Sequence, residues 1–302
     1  MRYSASQKLL GTIIEVTVIS DDTRTPNRIA SVFDYFRSIE QEFSRFLPDS
    51  NLSILNTHKK MIVSKRFLKL MTLSKDMYVK TGGLFNPLVS VASLGYSHTF
   101  DEWNFEPTKG VVNTDFESIQ IDRDVITLQP EQSLDFGGIA KGWAVDGTTS
   151  LLRLFGYENF FINAGGDIYA SGVNENGDDG WVIGIESPFN GEVIASVLLK
   201  DMAIATSGSY KRKWDVQSKH YHHLINPLTG ANENGIQSVA IIANNCASSD
   251  GFTKSIFNAR AQDGIRLIEQ NNMDGLIITS EKKILYTKGL VGKYDLTFAE
   301  SE

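Results

Sequence analysis

Leu134-Asp135-Phe136-Gly137-Gly138-Ile139-Ala140-Lys141-Gly142-Trp143-Ala144-Val145-Asp146 is the segment that predicts most about the fold and function of this chain. Two adjacent glycines, Gly137 and Gly138, allow a backbone to approach a ligand closely, and Lys141 follows just before a helical run. Such a turn can bind an anion, for example a nucleotide phosphate. A tight turn with a solvated lysine explains the segment equally well. The spacing matches neither the Walker phosphate loop nor the dinucleotide-binding glycine fingerprint.

Four later segments combine turn residues with polar side chains. Two surround glycine turns: Ile162 to Ile168 (Ile-Asn-Ala-Gly-Gly-Asp-Ile) and Ala205 to Tyr210 (Ala-Thr-Ser-Gly-Ser-Tyr). The third, His222 to Gly230, runs from a histidine strand into a proline turn (His-His-Leu-Ile-Asn-Pro-Leu-Thr-Gly). The fourth, Ala247 to Lys254, places an acidic residue near the start of a helix (Ala-Ser-Ser-Asp-Gly-Phe-Thr-Lys). Each segment by itself is weak support for any function.

Together these segments resemble the motifs of a known family. Leu10-Gly11-Thr12, Ser44 to Asn56 and Gly82 to Pro87 complete the ordered set. Their order and spacing are similar to those of the ApbE family, the FAD:protein FMN transferases. That family carries comparable Asp-Leu-Gly-Gly-Ile-Ala-Lys-Gly, Asn-Ala-Gly-Gly-Asp, Thr-Ser-Gly, His-x-Ile-Asp/Asn-Pro-x-Thr-Gly and Ala-Asp-Ala/Gly sequences. The resemblance covers nearly the whole chain.

The resemblance implies a transferase reaction. FAD is split at its pyrophosphate, the FMN half passes to a serine or threonine hydroxyl of an acceptor flavoprotein, and AMP is released. FAD is then the substrate, Mg²⁺ the metal cofactor and the flavoprotein the partner. Two alternatives stay open at this point: an FAD pyrophosphatase, in which water replaces the hydroxyl, and a non-catalytic FAD-binding protein.

Asp250 is the magnesium-binding residue that the resemblance implies, and the backbone carbonyl of Ala140 matches a second ligand. Oxygen ligands suit Mg²⁺, although Asp250 could instead cap its helix. Four residues later the family usually has a threonine, whereas this chain has Lys254, with Thr253 one place earlier as a less favourably placed ligand. An ammonium beside the carboxylate repels Mg²⁺ but can neutralise a diphosphate. We therefore expect weak magnesium binding.

His223 aligns with the histidine that takes the proton from the acceptor hydroxyl in the family, so the resemblance implies His223 and Asp250 as catalytic residues. Histidine exchanges protons near neutral pH, which suits this role. In an extended strand His222 faces the opposite side, so we expect His223 alone of the two to face the site.

Nine residues are assigned to FAD binding. They are Gly138 and Lys141 at the diphosphate, Gly166 and Asp167 at the flavin or ribityl group, Ser207, Gly208 and Tyr210 in the nucleotide pocket, and Leu10 and Tyr78 beside the isoalloxazine ring. Core packing is an alternative role for Tyr78.

Composition limits the other functions. The chain has 302 residues and a net charge of -7, which disfavours broad binding to nucleic acids or anionic membranes. Its one cysteine, Cys246, excludes an internal disulfide and a cysteine-based metal cluster. The first eight residues contain no export signal or membrane anchor, so we expect a cytoplasmic protein, or an exported one if a leader has been removed.

The order of strands and helices predicts an α+β fold with mixed sheets and packed helices. The resemblance implies the same class, an ApbE-like fold that is related to the T-fold. A strand is expected at Thr12 to Ile19, helices at Ile29 to Phe46 and Lys65 to Thr81, and a hairpin at Ser118 to Leu128. After the helix that follows Lys141, a succession of strands leads to a last β-α-β-β region, in which a helix is expected at Ser249 to Asn258. We expect a single domain over residues 1–302, or two intimately packed subdomains without a visible linker.

Overall fold

An antiparallel sheet is the largest element of the structure, which is a computed structural model. The structure describes residues 1–89, 113–209, 225–229 and 235–299, and the backbone alone of 213–216 and 219–222. Within these residues, and numbered in chain order, the sheet contains β1 (Arg2–Leu9), β2 (Thr12–Ile19), β6 (Phe160–Ala164), β7 (Asp167–Ser171), β10 (Met202–Gly208), β13 (Ile236–Ala243), β14 (Asp274–Thr279) and β15 (Ile284–Tyr286). The strands lie side by side in this order, and each neighbouring pair is antiparallel.

Smaller sheets and helices surround this sheet. The other described strands are β3 (Lys60–Ile62), β4 (Gln120–Asp122), β5 (Val125–Thr127), β8 (Trp181–Glu186), β9 (Val193–Leu199), β11 (Lys213–Val216), β12 (Lys219–His222) and β16 (Thr297–Phe298). The described helices are α1 (Thr25–Phe43), α2 (Asn51–His58), α3 (Lys65–Lys80), α4 (Ala140–Leu154), α5 (Cys246–Phe257), α6 (Ala261–Gln270) and α7 (Lys288–Tyr294). None of these helices has both the length and the apolar character needed to cross a membrane.

Both faces of the large sheet are buried, each against a different layer. On β13, Val239 and Ile241 pack in a core with side chains of α1, α4 and α5, whereas Ala240 and Ile242 pack in a second core with β8 and β9. Successive side chains of a strand point to opposite faces. α1, α4 and α5 therefore cover one face, whereas the three-stranded sheet of β16, β9 and β8 covers the other together with α7. The predicted α+β class is confirmed.

α1 follows the predicted apolar pattern, except at its end. Ile29, Phe36 and Phe43 are buried on one face of the helix. Proline stands in its first turn, where a missing N–H group does no harm. The backbone of Ser44 is extended, so the helix ends at Phe43 and the prediction that it continues to Phe46 is wrong.

α5 begins earlier than the sequence predicted, and the reason is its cap. The side chain of Asn245 accepts a hydrogen bond from Ser248 N at 2.9 Å. Asp146, at the middle of α4, accepts hydrogen bonds from Cys246 N at 2.6 Å and Ala247 N at 2.9 Å. Asp250 therefore lies in the second turn of α5, and the alternative that it caps the helix is wrong.

α4 and α5 cross so closely that one position must be glycine. A Cβ atom at Gly142 would stand 2.4 Å from the carbonyl oxygen of Cys246 and 2.8 Å from Cα of Ala247. Both are backbone atoms, which cannot move aside without separating the helices. Gly142 thus fixes the distance between the two helices that carry Lys141 and Asp250.

We predict that Gly142→Ala lowers the free energy of unfolding by ~1–3 kcal/mol or more, because the added methyl group overlaps backbone atoms of α5. Gly292→Ala is the matched control: this glycine also lies in a helix, but a Cβ atom there meets nothing within 4 Å. It should leave stability unchanged or raise it by up to ~1 kcal/mol. Urea unfolding of the three proteins measures both effects, and equal midpoints for Gly142→Ala and the wild type would contradict the packing argument.

Candidate active site

A cavity of about 400 Å³ opens where the predicted motif segments meet. Ligand pockets in proteins commonly have volumes of ~300–1,000 Å³. The residues of its wall come from distant parts of the chain: Leu10, Gly11, Thr12, Glu40, Phe43, Ser44, Arg45, Phe46, Leu84, Phe85, Asn86, Pro87, Val89, Asp135, Gly137, Gly138, Ala140, Lys141, Gly165, Thr206, Ser207, Gly208, Ile225, Pro227, Lys254 and Asn258. The fold therefore brings together the glycine turns and the α5 segment that the sequence singled out.

Lys254 forms an ion pair with Asp250 across one turn of α5. Its Nζ atom donates a hydrogen bond to Oδ1 of Asp250 and lies 3.4 Å from Oγ1 of Thr253. The carboxylate is fully buried, whereas the lysine side chain is 18% exposed at the cavity wall. The lysine therefore connects a buried negative charge to the cavity.

The second oxygen of Asp250 is also held by N–H groups. Gly142 N donates to Oδ2 at 3.1 Å, and Nζ of Lys141 lies 4.0 Å from the same atom. Lys141 itself forms an ion pair with Asp167, whose side chain is 1% exposed. Among the described residues, the other oxygen of Asp167, Oδ1, has no hydrogen-bond partner. Buried carboxylates are stable only when paired and hydrogen-bonded, and both lysines supply that pairing.

Thr253 is buried behind this ion pair and its hydroxyl is already engaged. It donates to the carbonyl oxygen of Asp250 at 2.7 Å and lies 2.7 Å from Oγ of Ser207. A hydroxyl has one hydrogen, so Ser207 must be the donor in the second bond. Thr253 therefore links α5 to β10.

The residues around Asp250 do not fit the coordination of Mg²⁺. Magnesium requires oxygen ligands in a near-ideal octahedron. Both oxygens of Asp250 face N–H groups, and the Thr253 hydroxyl accepts from Ser207 and lies next to Lys254. In the part of the chain that the structure describes, no group of three or more His, Cys, Asp or Glu residues could hold a metal ion. The ammonium of Lys254 stands where the resemblance placed a cation.

Arg45 and its partner were not predicted as site residues. Nε of Arg45 lies 3.2 Å from Oδ2 of Asp135, and its guanidinium stacks 4.2 Å from the ring centre of Phe46. Both residues belong to segments that carried the family resemblance. No local pattern in the sequence indicates that Arg45 and Asp135 form an ion pair at the cavity wall.

The turn between β1 and β2 positions Leu10 at the cavity wall. Leu10 has a φ of 52° and Gly11 a φ of 68°, and Leu10 N donates to Oε1 of Glu40 at 2.9 Å. A residue other than glycine pays a steric penalty in this left-handed region, and such strain often occurs at functional sites. Glu40, which holds the turn in place, carried no sequence signal.

The remaining predicted residues divide into three groups. Gly138, Ser207 and Gly208 line the cavity, whereas Gly166 lies beside lining residue Gly165. Tyr78 is not among the lining residues, and its ring stacks on Phe116 with 5.3 Å between the ring centres. Tyr210 and His223 lie outside the described residues. His222 is described only as the end of β12, where it pairs with Lys213.

Comparison with known proteins identifies the family. The model of the ApbE family matches residues 10–277. The chain belongs to the ApbE family. Its relatives include the FAD:protein FMN transferase of Vibrio cholerae, which is 29% identical over 259 residues, covering 80% of this chain and 75% of the relative. The FAD:protein FMN transferase of Treponema pallidum is 26% identical over 320 residues, covering 96% and 88%.

Solved ApbE structures share the fold. The ApbE protein of Thermotoga maritima superimposes with a TM-score of 0.88 at 25% identity, covering 95% of this chain and 97% of that one. The flavin transferase ApbE of Vibrio cholerae superimposes with a TM-score of 0.80 at 25% identity, covering 97% and 99%.

The stability of the junction between α4 and α5 depends on pH through the carboxyl group of Asp146. Burial, with a smaller contribution from the nearby Asp250, raises the pKa of this carboxyl to about 6, against the lowering effect of the Ala247 and Cys246 N–H groups. The folded protein therefore binds a proton at Asp146 more tightly than the unfolded chain, whose carboxyl has a pKa of 3.8. The contribution of Asp146 to the free energy of unfolding is fully present below pH 3.8 and is lost as the pH rises through about 6.

We predict that Asp146→Asn removes this pH dependence. The difference in unfolding free energy between wild type and variant should shift by on the order of 1–3 kcal/mol between pH 4 and pH 7, with the wild type relatively more stable at the acidic end. Denaturant unfolding at several pH values measures the shift. A difference that is constant with pH, or that favours the wild type more at pH 7 than at pH 4, would contradict the assignment.

Proposed function

We propose that this protein transfers FMN from FAD to a serine or threonine hydroxyl of an acceptor flavoprotein and releases AMP. One observation carries the proposal: the segments that resemble the motifs of flavin transferases converge on one cavity, although they lie up to 244 residues apart, from Leu10 to Lys254. The names of the Vibrio cholerae and Treponema pallidum relatives support the same reaction.

The proposed roles follow from the positions of the described residues. Gly137 and Gly138 bring the backbone close to the diphosphate, and Lys141 and Lys254 offer ammonium groups at the same wall. Asp250 keeps both ammonium groups nearby. Charge that develops on the diphosphate is then stabilised by donors that are already oriented.

The transfer step itself involves three atoms. The oxygen of the acceptor hydroxyl attacks the phosphorus of the FMN half, and the bond from that phosphorus to the bridging oxygen breaks. AMP leaves with the bridging oxygen and its electron pair. His223 is the proposed base that receives the hydroxyl proton, on the strength of its sequence context.

Besides the residue roles and the acceptor hydroxyl, three expectations from the sequence stay predictions. Magnesium as cofactor is one, and the ion pair of Lys254 with Asp250 argues against it. The cytoplasmic location is the second. The third is a single domain, which the shared large sheet between the two cores supports.

The activity is tested by incubating the protein with FAD and a candidate acceptor and measuring the mass of the acceptor. Gain of one FMN unit together with release of AMP is expected. Free FMN and AMP with an unmodified acceptor would indicate a pyrophosphatase instead. An unchanged acceptor and intact FAD would contradict both reactions.

We predict that the protein binds FAD more tightly than FMN or AMP, because the glycine turns and the Thr206 to Gly208 segment together offer contacts to both halves of the dinucleotide. Isothermal titration calorimetry with the three ligands measures this. Equal affinities for FMN and FAD would show that the adenylate half makes no contact and would contradict the proposed pocket.

We predict that His223→Ala slows flavin transfer by ~10²–10⁴-fold while FAD affinity changes little, because a general base acts on the rate and not on ground-state binding. His222→Ala is the control, since its side chain should face away from the site. Transfer rates and FAD titrations of both variants separate the two histidines. If His222 is essential and His223 dispensable, it is His222 that faces the site, which is the reverse of the proposed arrangement.

A further inference from the structure

We propose that the ammonium of Lys254 neutralises the FAD diphosphate in place of a divalent cation, so that FAD binding and transfer need no Mg²⁺. This inference rests on the proposed function, because it concerns the same substrate. It assigns Lys254 as a substrate-binding residue, with Asp250 as the positioning residue that holds it.

The position of Lys254 supports this role. Cγ of Lys254 lies 3.6 Å from the point where a Cβ atom of Gly138 would stand, so the lysine packs directly against the glycine turn. Lys141, the second residue of α4, has its Nζ atom 4.0 Å from the other oxygen of the same carboxylate. Two ammonium groups from different helices therefore flank the wall at which a closely approaching anion would bind.

The number of hydrogen bonds that the Lys254 ammonium can donate also fits this role. An ammonium group has three N–H donors. Within the described residues, Asp250 accepts one, and Thr253 lies at the longer distance of 3.4 Å. Lys254 can therefore hold the carboxylate and a diphosphate oxygen at the same time. A metal ion at Asp250 would first have to displace this ammonium from a fully buried carboxylate.

The two lysines act on a diphosphate as oriented donors. Lys141 pairs with Asp167 and Lys254 with Asp250, so these two ion pairs carry no net charge before a ligand binds. Their N–H groups are nevertheless held in place at the wall where the diphosphate is expected. Oriented ammonium groups stabilise the growing charge of the leaving phosphate as the bond to the bridging oxygen breaks.

FAD titrations in EDTA and in MgCl₂, followed by flavin fluorescence, test the proposal. For the wild type the Kd for FAD should agree within about twofold in the two buffers. Lys254→Thr should bind FAD about tenfold or more weakly in EDTA, equivalent to 1.4 kcal/mol or more, and should regain affinity with MgCl₂ because the carboxylate is then free for a metal. Lys200→Thr is the control, because this lysine forms its ion pair with Asp179 on the surface, away from the cavity.

Two results of these titrations would overturn the proposal: a wild-type Kd that improves tenfold or more with MgCl₂, or a Lys254→Thr protein that binds FAD in EDTA as well as the wild type does. The wild-type measurement decides even if the variant does not fold. A failure of the proposed function can be distinguished from a failure of this proposal. Flavin transfer that stops in EDTA contradicts the role of Lys254 and leaves the transferase intact, whereas metal-independent FAD binding without any transfer contradicts the transferase alone.

Discussion

The burial of the Asp250 carboxylate is the constraint on which the site depends. A charged group that is removed from water must be paired and hydrogen-bonded, or the folded state is destabilised. Asp250 meets this requirement through Lys254 on its own helix and through Gly142 N and Lys141 on α4. These partners are available only if α4 and α5 approach closely, which the missing side chain of Gly142 allows. The close packing of α4 and α5 is therefore a condition for the pairing of the buried Asp250 charge.

The same charges connect the helices to the sheet. Lys141 pairs with Asp167 at the start of β7, and Thr253 is hydrogen-bonded to Ser207 on β10. Removing one partner of a buried pair leaves the other charge uncompensated, which costs ~3–5 kcal/mol in typical proteins. The cavity wall is therefore built on rigid elements on both sides, as a site that must orient a diphosphate requires.

Local patterns in the sequence predicted much of this arrangement. The i, i+4 spacing placed Lys254 and Asp250 on one face of a helix, and the structure brings them together. Gly138 and Gly208, which the sequence assigned to FAD binding, line the cavity, and their contacts with FAD stay a prediction. The start of α5 was misplaced because its cap includes Asp146, a residue 100 positions away from Cys246.

Contacts over long sequence distances could not be predicted in this way. Arg45 meets Asp135 and Leu10 meets Glu40 only after the chain has folded, and no periodicity encodes these pairs. β1 was missed because most of its side chains are exposed and polar, so it lacks the alternation that marks a half-buried strand. Tyr78 was assigned to the flavin ring on its aromatic character, yet it stacks on Phe116 instead of lining the cavity.

The central claim is that a lysine, not a metal ion, faces the diphosphate at Asp250. X-ray diffraction at the manganese absorption edge, from crystals of the FAD complex grown with MnCl₂, tests it most directly. We expect Nζ of Lys254 within hydrogen-bond distance of a diphosphate oxygen, with its bond to Asp250 kept and no anomalous density at that carboxylate. Anomalous density bonded to the Asp250 carboxylate, with Lys254 turned away from it, would contradict the claim.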